Sequence, residues 1–280
     1  MRKTLLILAL ILALSGCSPA EEVVVDPADF IVPEATQDVL VEVSDPVEVV
    51  VPEEEPDLPA QAGPEPELVP EPIVAEVNLP VPFQMQAPYS NWDMPYQEMC
   101  EEAALVLAYK YFANEPLDKD IMDAELTKAR EWEIANFGLF TDTTLEEMKQ
   151  LAEEHFGLEV TISEEVSTEL IKDQLRQGYL VLVPTAGREL GNPFYKQPGP
   201  LYHVLVIRGF NETEFITNDV GIGKGEEYKF KYQTVLQANH DLPISGGKIF
   251  RPYDEDLSEE IKESEMLVGE KRIMIVKGLK

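Results

Sequence analysis

Met99-Cys100-Glu101-Glu102-Ala103-Ala104-Leu105-Val106-Leu107-Ala108-Tyr109-Lys110-Tyr111-Phe112 is the stretch on which the reading of this chain turns. Ala103 to Ala108 leaves no polar stripe for water, and a helix that is apolar all round belongs in the middle of a core. Its one cysteine stands at the amino end. There, unpaired backbone N–H groups and the positive end of the helix dipole favour a thiolate. Glu101 and Glu102 suit the dipole but oppose a thiolate beside them. A reactive Cys100 therefore requires both to point away or to be balanced; the alternative is a buried, inert thiol.

Downstream, Pro116 to Ala135, Thr143 to His155 and Ser167 to Gln177 are amphipathic helix candidates. Thr143-Thr144-Leu145-Glu146 fits a capped start with an acid in the first turn. The period then changes. Tyr179 to Pro184, His203 to Gly209, Glu214 to Asn218, Tyr228 to Tyr232 and Arg272 to Lys277 read as strands. Helices first and strands later predict an α+β domain with an antiparallel sheet. Residues 79–280 are ample for one globular domain with a proper core. That region holds 36 acids against 20 bases, with no basic stripe. Such a surface repels phosphate backbones, which excludes nucleic acid as a partner.

Upstream the composition is different. Residues 18–78 carry 17 Asp and Glu, no Lys or Arg, and one aromatic residue among many Pro and Val. Such a stretch lacks the large side chains that offset ordering entropy and reads as a disordered, extended stalk. Residues 1–17 place Arg2 and Lys3 before an apolar run from Leu5 to Leu14. The run is shorter than the roughly 20 residues that span a bilayer and has the order of an export signal. Leu14-Ser15-Gly16-Cys17 looks like the lipobox of bacterial lipoproteins, which makes Cys17 a lipidation site and the protein an exported one, anchored to the membrane by lipid. Only two cysteines exist in the chain. With Cys17 consumed as a thioether, Cys100 is a free thiol in an oxidising compartment, which points to reactivity.

A thiol nucleophile needs a base, and three histidines are available. His203 opens the strand Tyr202-His203-Val204-Leu205-Val206-Ile207 after a Gly- and Pro-rich loop, a position suited to facing a cleft. His155 closes a helix and His240 lies in a polar turn. A turn at Phe210-Asn211-Glu212-Thr213 makes a hairpin. A three-residue loop sets His203 opposite Asp219, whereas a two-residue loop puts Asn218 on that face. Either side chain suits an imidazole N–H. Oxyanion donors are sought upstream of Cys100, at Gln86, Asn91 and Gln97. There is no His-Glu-x-x-His motif, no second thiol for zinc and no phosphate-binding glycine loop, so no metal or cofactor is implied.

These segments resemble the cysteine-peptidase family 39-like domains, papain-fold relatives of the bacteriocin leader-processing peptidases. The matching pieces are Val81-Pro82-Phe83, Gln86-Ala87-Pro88, Trp92, Cys100-Glu101-Glu102-Ala103, Asn192-Pro193, Tyr202 to Gly209 and Thr217-Asn218-Asp219-Val220-Gly221. The resemblance implies a papain-like fold and a peptide or protein substrate, with Cys100 as nucleophile, His203 as general base and Asp219 as orienting acid. Two departures stand out. Glu101 occupies a position commonly held by Gly, and Met94 stands six residues before the cysteine, where the leader peptidases carry a glutamine. Gln86 reaching across an insertion or Gln97 are the two substitutes. A catalytically silent papain-fold module that binds peptide or cell-wall ligands is the alternative function.

Overall fold

The structure, a computed structural model, describes residues 76–253 and 256–280. Cys17 and the acidic stretch up to residue 75 lie outside the described residues. Helices and an antiparallel sheet are combined, in the order β1 (Val77–Asn78), α1 (Cys100–Ala113), α2 (Lys119–Phe137), α3 (Leu145–Glu154), β2 (Leu158–Ser163), α4 (Thr168–Arg176) and β3 (Leu180–Ala186). There follow β4 (Tyr202–Phe210), β5 (Glu214–Asn218), β6 (Tyr228–Lys231), α5 (Tyr232–Ala238), a small hairpin of β7 (Ile244–Ser245) and β8 (Lys248–Ile249), α6 (Glu259–Met266) and β9 (Ile273–Leu279). Among the described residues no helix is long and apolar enough to cross a membrane.

Local chemistry explains the helix ends. Asp118 caps α2 by accepting from the N–H groups of Asp120 and Ile121, and Gly138 at φ 80° ends it. Thr144 and Glu147 form a reciprocal capping box at α3, and Ser167 caps α4. Cys100 opens α1 without a side-chain cap, because Met99 precedes it.

The main sheet runs β2-β9-β3-β4-β5-β6, with β1 paired to β4. Strands β3 and β4 are buried along their whole length, so alternate side chains feed two cores. Leu180, Leu182, Val204 and Val206 pack with α1, α2 and α3, against Leu105, Leu126 and Leu151. Val181, Val183, Leu205 and Ile207 pack with Ile171 and Leu175 of α4 and Val235 of α5 on the other face. Each fully buried Leu or Val contributes about 1.5–3 kcal/mol, and together they fix the sheet between helices.

Three expectations require correction. Helices and strands are not segregated, since β2 lies between α3 and α4 and pairs with β9. Tyr232 begins α5 where it was expected to end a strand. Val77 and Asn78, assigned to the stalk, pair with Phe210 and Gly209 of β4, so ordered chain begins earlier than Leu79. The close approach needs Gly209, where a Cβ would lie 2.2 Å from the Val77 carbonyl oxygen.

Candidate active site

Three pieces of chain meet at one end of the sheet: the start of α1, the start of β4 and the turn that follows β5. Cys100, His203 and Gly221 line a single cavity of about 860 Å³, together with Gln86, Gln97, Trp92 and Tyr195. The structure therefore brings the expected nucleophile and base to one space.

His203 Nε2 lies 2.8 Å from Asp219 Oδ1. An ionised carboxylate only accepts, so Nε2 carries a proton, and in the neutral ring it is Nδ1 that keeps the lone pair. Asp219 is fully buried and multiply bonded. Its Oδ2 accepts from Tyr195 Oη at 2.7 Å and from Asn192 Nδ2 at 3.0 Å, and its Oδ1 also accepts from the Gly221 N–H at 3.0 Å. Burial pushes this carboxyl up, but the His203 charge and hydrogen bond, with the Tyr195 and Gly221 donors, outweigh it and hold Asp219 below the usual carboxylate range.

The contact was expected, yet neither predicted register produces it. β4 and β5 pair Phe210 with Phe215 and Gly209 with Ile216, then Ile207 with Thr217 and Val206 with Asn218. The loop is longer than either alternative, and Arg208 is the extra residue of a bulge. Asp219 reaches His203 from beyond the strand end, where its backbone N–H turns to the Gly225 carbonyl. Asn218, the alternative orienting residue, is occupied elsewhere. Its Oδ1 accepts from Arg208 Nη1 and the Glu227 N–H, both at 3.2 Å, and its Nδ2 faces the carbonyls of Val81 and Pro82.

Asn192 and Tyr195 are the functional residues that sequence reasoning did not assign a role. Both sit in the loop between β3 and β4. Asn192 turns the loop by accepting from the Phe194 N–H at 3.0 Å, which frees its amide for Asp219. The Tyr195 ring also stands edge-on to His203, with centroids 5.5 Å apart.

Gln86 is folded back as its candidacy required, its N–H bonded to the Val220 carbonyl. Its amide, however, donates to the carbonyls of Tyr96 at 3.0 Å and Gln97 at 3.1 Å, which commits both donors to holding the turn before Cys100. Gln97 presents an exposed side chain at the cavity. Among the other histidines, His155 packs against Phe156 and Trp132, and His240 is buried with Nδ1 2.8 Å from the Gly269 carbonyl.

Cys100 departs from the thiolate expected at a helix start. Its thiol donates to Glu101 Oε2 at 2.9 Å. Burial pushes the thiol well above its ordinary value; the Glu101 carboxylate adds to this by charge and hydrogen bond, Asp142 by charge, and the Val204 N–H opposes. Glu102 does point away, into a buried pairing with Glu133 of α2. One of the two acids is thus balanced and the other is aimed at the sulfur.

No protein-family model matches the sequence, and no curated protein matches it. Among solved structures the chain is similar to one described as a "putative C39-like peptidase" from Bacillus anthracis, at 16% identity and a TM-score of 0.42. The match covers 73% of this chain and 99% of that one. A likeness at that level carries no functional weight.

Proposed function

We propose that the domain is a papain-like cysteine peptidase or amide acyl transferase that works through a thioester at Cys100. One observation carries the reading: the 2.8 Å bond between His203 and a buried, fourfold-bonded Asp219, at the wall of a cavity that Cys100 also lines. A carboxylate that costly to bury is hard to explain as packing, and orienting an imidazole explains it.

In this mechanism His203 Nδ1 takes the Cys100 proton as the sulfur attacks a peptide carbonyl, and later gives it to the leaving amine. Asp219 fixes the ring's tautomer and stabilises the imidazolium. The backbone N–H groups at the start of α1 and the Gln97 amide are the donors for the developing oxyanion. Trp92, Phe194 and Tyr253 along the cavity offer aromatic faces to an extended peptide or protein substrate. The same reading places the domain outside the cell, anchored by lipid at Cys17 and carried on the acidic segment as a spacer.

A binding module remains the second reading, favoured by the neutral state of the Cys100 thiol. Incubation with a pool of fluorogenic peptide amides separates the two. Turnover by the wild type that disappears in Cys100→Ala and His203→Ala supports the peptidase. Peptide binding without turnover in all three proteins supports the module, and turnover that survives Cys100→Ala removes the thioester mechanism.

A further inference from the structure

Turnover requires the Cys100 proton to reach His203, yet in the folded protein the thiol donates to a different group. Glu101 Oε1 accepts from the Thr143 N–H at 2.7 Å and faces the Thr143 hydroxyl at 3.5 Å. With that oxygen fixed by the segment before α3, Oε2 is aimed at the sulfur 2.9 Å away. Cys100 is 4% exposed and Glu101 1%, so little water competes for the bond. We propose that Glu101 is the resting-state holder of the Cys100 proton, keeping the nucleophile a neutral thiol until bound substrate turns it towards His203. This inference rests on the acyl-transfer reading and adds to it a built-in restraint.

The surrounding charges agree with the geometry. Cys100 is faced by Glu101 on its own helix, Asp142 before α3, Tyr195 before β4, Tyr202 and His203 on β4, and Tyr253. Glu101 is in turn faced by Glu102 of α1, Glu133 of α2, Tyr202 and His203. Among these groups only His203 can become a cation; Lys196 and Lys224 line the same cavity. Burial pushes the Glu101 carboxyl up as well, while its bonds to Cys100 and Thr143 oppose that.

The step balances without a co-reactant. As the carbonyl carbon approaches, the S–H bond breaks, the proton passes to His203 Nδ1, the sulfur pair forms the C–S bond, and the carbonyl π pair moves onto oxygen. Glu101 gains nothing and is left as a carboxylate beside a thioether-like sulfur that carries no charge. The restraint also suits an unpaired thiol in an oxidising compartment, because the thiolate is the form that oxidants and alkylating agents attack.

Two measurements test this on the full-length protein without any substrate. Iodoacetamide alkylation of Cys100 is followed against pH in the wild type, Glu101→Gln and Glu101→Gln/His203→Ala. Glu101→Gln is expected to react faster at neutral pH, about tenfold for each unit by which the thiol pKa falls, and the double variant to lose that gain. Equal rates in wild type and Glu101→Gln overturn the proposal. The infrared S–H stretch, taken as the difference between wild type and Cys100→Ser so that Cys17 does not contribute, decides independently if the variant does not fold. A band shifted to lower frequency than a free thiol supports a held proton; a band at the free-thiol position, or none, overturns it. Neither readout depends on peptide hydrolysis, so a missing peptidase activity and a missing restraint are separately visible.

Discussion

The Tyr195 hydroxyl donates to Asp219 at 2.7 Å while its ring stands edge-on to His203, so a single loop side chain braces both members of the imidazole–carboxylate pair. Tyr195→Phe keeps the ring and removes the donor. A hydrogen bond to a buried charge is worth about 1.5–3 kcal/mol, and its loss is expected to raise the Asp219 pKa from its depressed position. A carboxylate with a depressed folded pKa stabilises above its unfolded pKa and loses that stability as pH falls through the folded value. The acid limb of both stability and kcat therefore moves to higher pH in Tyr195→Phe, with KM little changed. An acid limb that stays in place in both profiles removes the bracing role.

Gly221 lies so close to the pair that a Cβ there would stand 2.9 Å from His203 Cε1 and 3.2 Å from Asp219 Oδ1. Gly221→Ala must push the imidazole aside, and a misplacement of about 1 Å can cost on the order of a hundredfold in rate. At Gly223, two residues on, a Cβ would meet only the Met85 sulfur at 3.4 Å. Turnover and thermal melting of the two variants are compared: Gly221→Ala is expected to lose activity far more than Gly223→Ala at similar melting temperature. Equal activity in both would show that the ring has room to shift.

Glu102 and Glu133 meet in the core between α1 and α2, both fully buried. Burial, then the charges of Glu133 and Glu101, push Glu102 well up, and burial pushes Glu133 up to about 8 from its ordinary 4.5. Such acids keep protons in the folded state that the unfolded chain releases. The Glu133 contribution is complete below about 4.5 and is lost as pH rises through about 8, and that of Glu102 is lost in the same direction. The melting temperature of the wild type is expected to fall over that window, and Glu133→Gln, which holds a neutral partner for Glu102, to flatten the fall. A wild-type profile that rises towards pH 8 would contradict the shared-proton pairing.

The proposed lipid anchor rests on Leu14-Ser15-Gly16-Cys17. In a bacterial host, Cys17→Ser is expected to abolish incorporation of a fatty-acid label and to leave the precursor unprocessed, whereas Cys100→Ser leaves both intact. Normal labelling of the Cys17→Ser protein would remove the anchor.

Much of this architecture is legible in the sequence where local chemistry decides it. The continuous apolar run after Cys100 gives the central helix, the capped start expected at Thr143 to Glu146 falls one residue later, on Thr144 and Glu147, and β5 keeps its expected bounds from Glu214 to Asn218. β2 is not marked locally although Leu158, Val160 and Ile162 alternate with polar residues, because its partner β9 lies more than a hundred residues away. The His203–Asp219 contact was inferred from hairpin arithmetic that the Arg208 bulge invalidates. Nothing local marks that bulge: Arg208 is drawn by the Leu79 carbonyl and Asn218, partners that only the fold assembles. Glu101 shows the same limit, since its charge was visible but its aim depends on the Thr143 N–H, 42 residues away.

The position of β9 has a consequence for synthesis. Ile273–Leu279 is inserted between β2 and β3, pairing with both, so the strand made late in the chain is an interior one. Until it is present, β2 has no partner among the described residues and the inner edge of β3 is unpaired, however long the upstream segments have been available. A chain halted before Ile273 would carry two open edges and a gap in its first core where Met274 and Val276 belong. The sheet is therefore completed by β9, and folding waits for that strand rather than following the chain residue by residue.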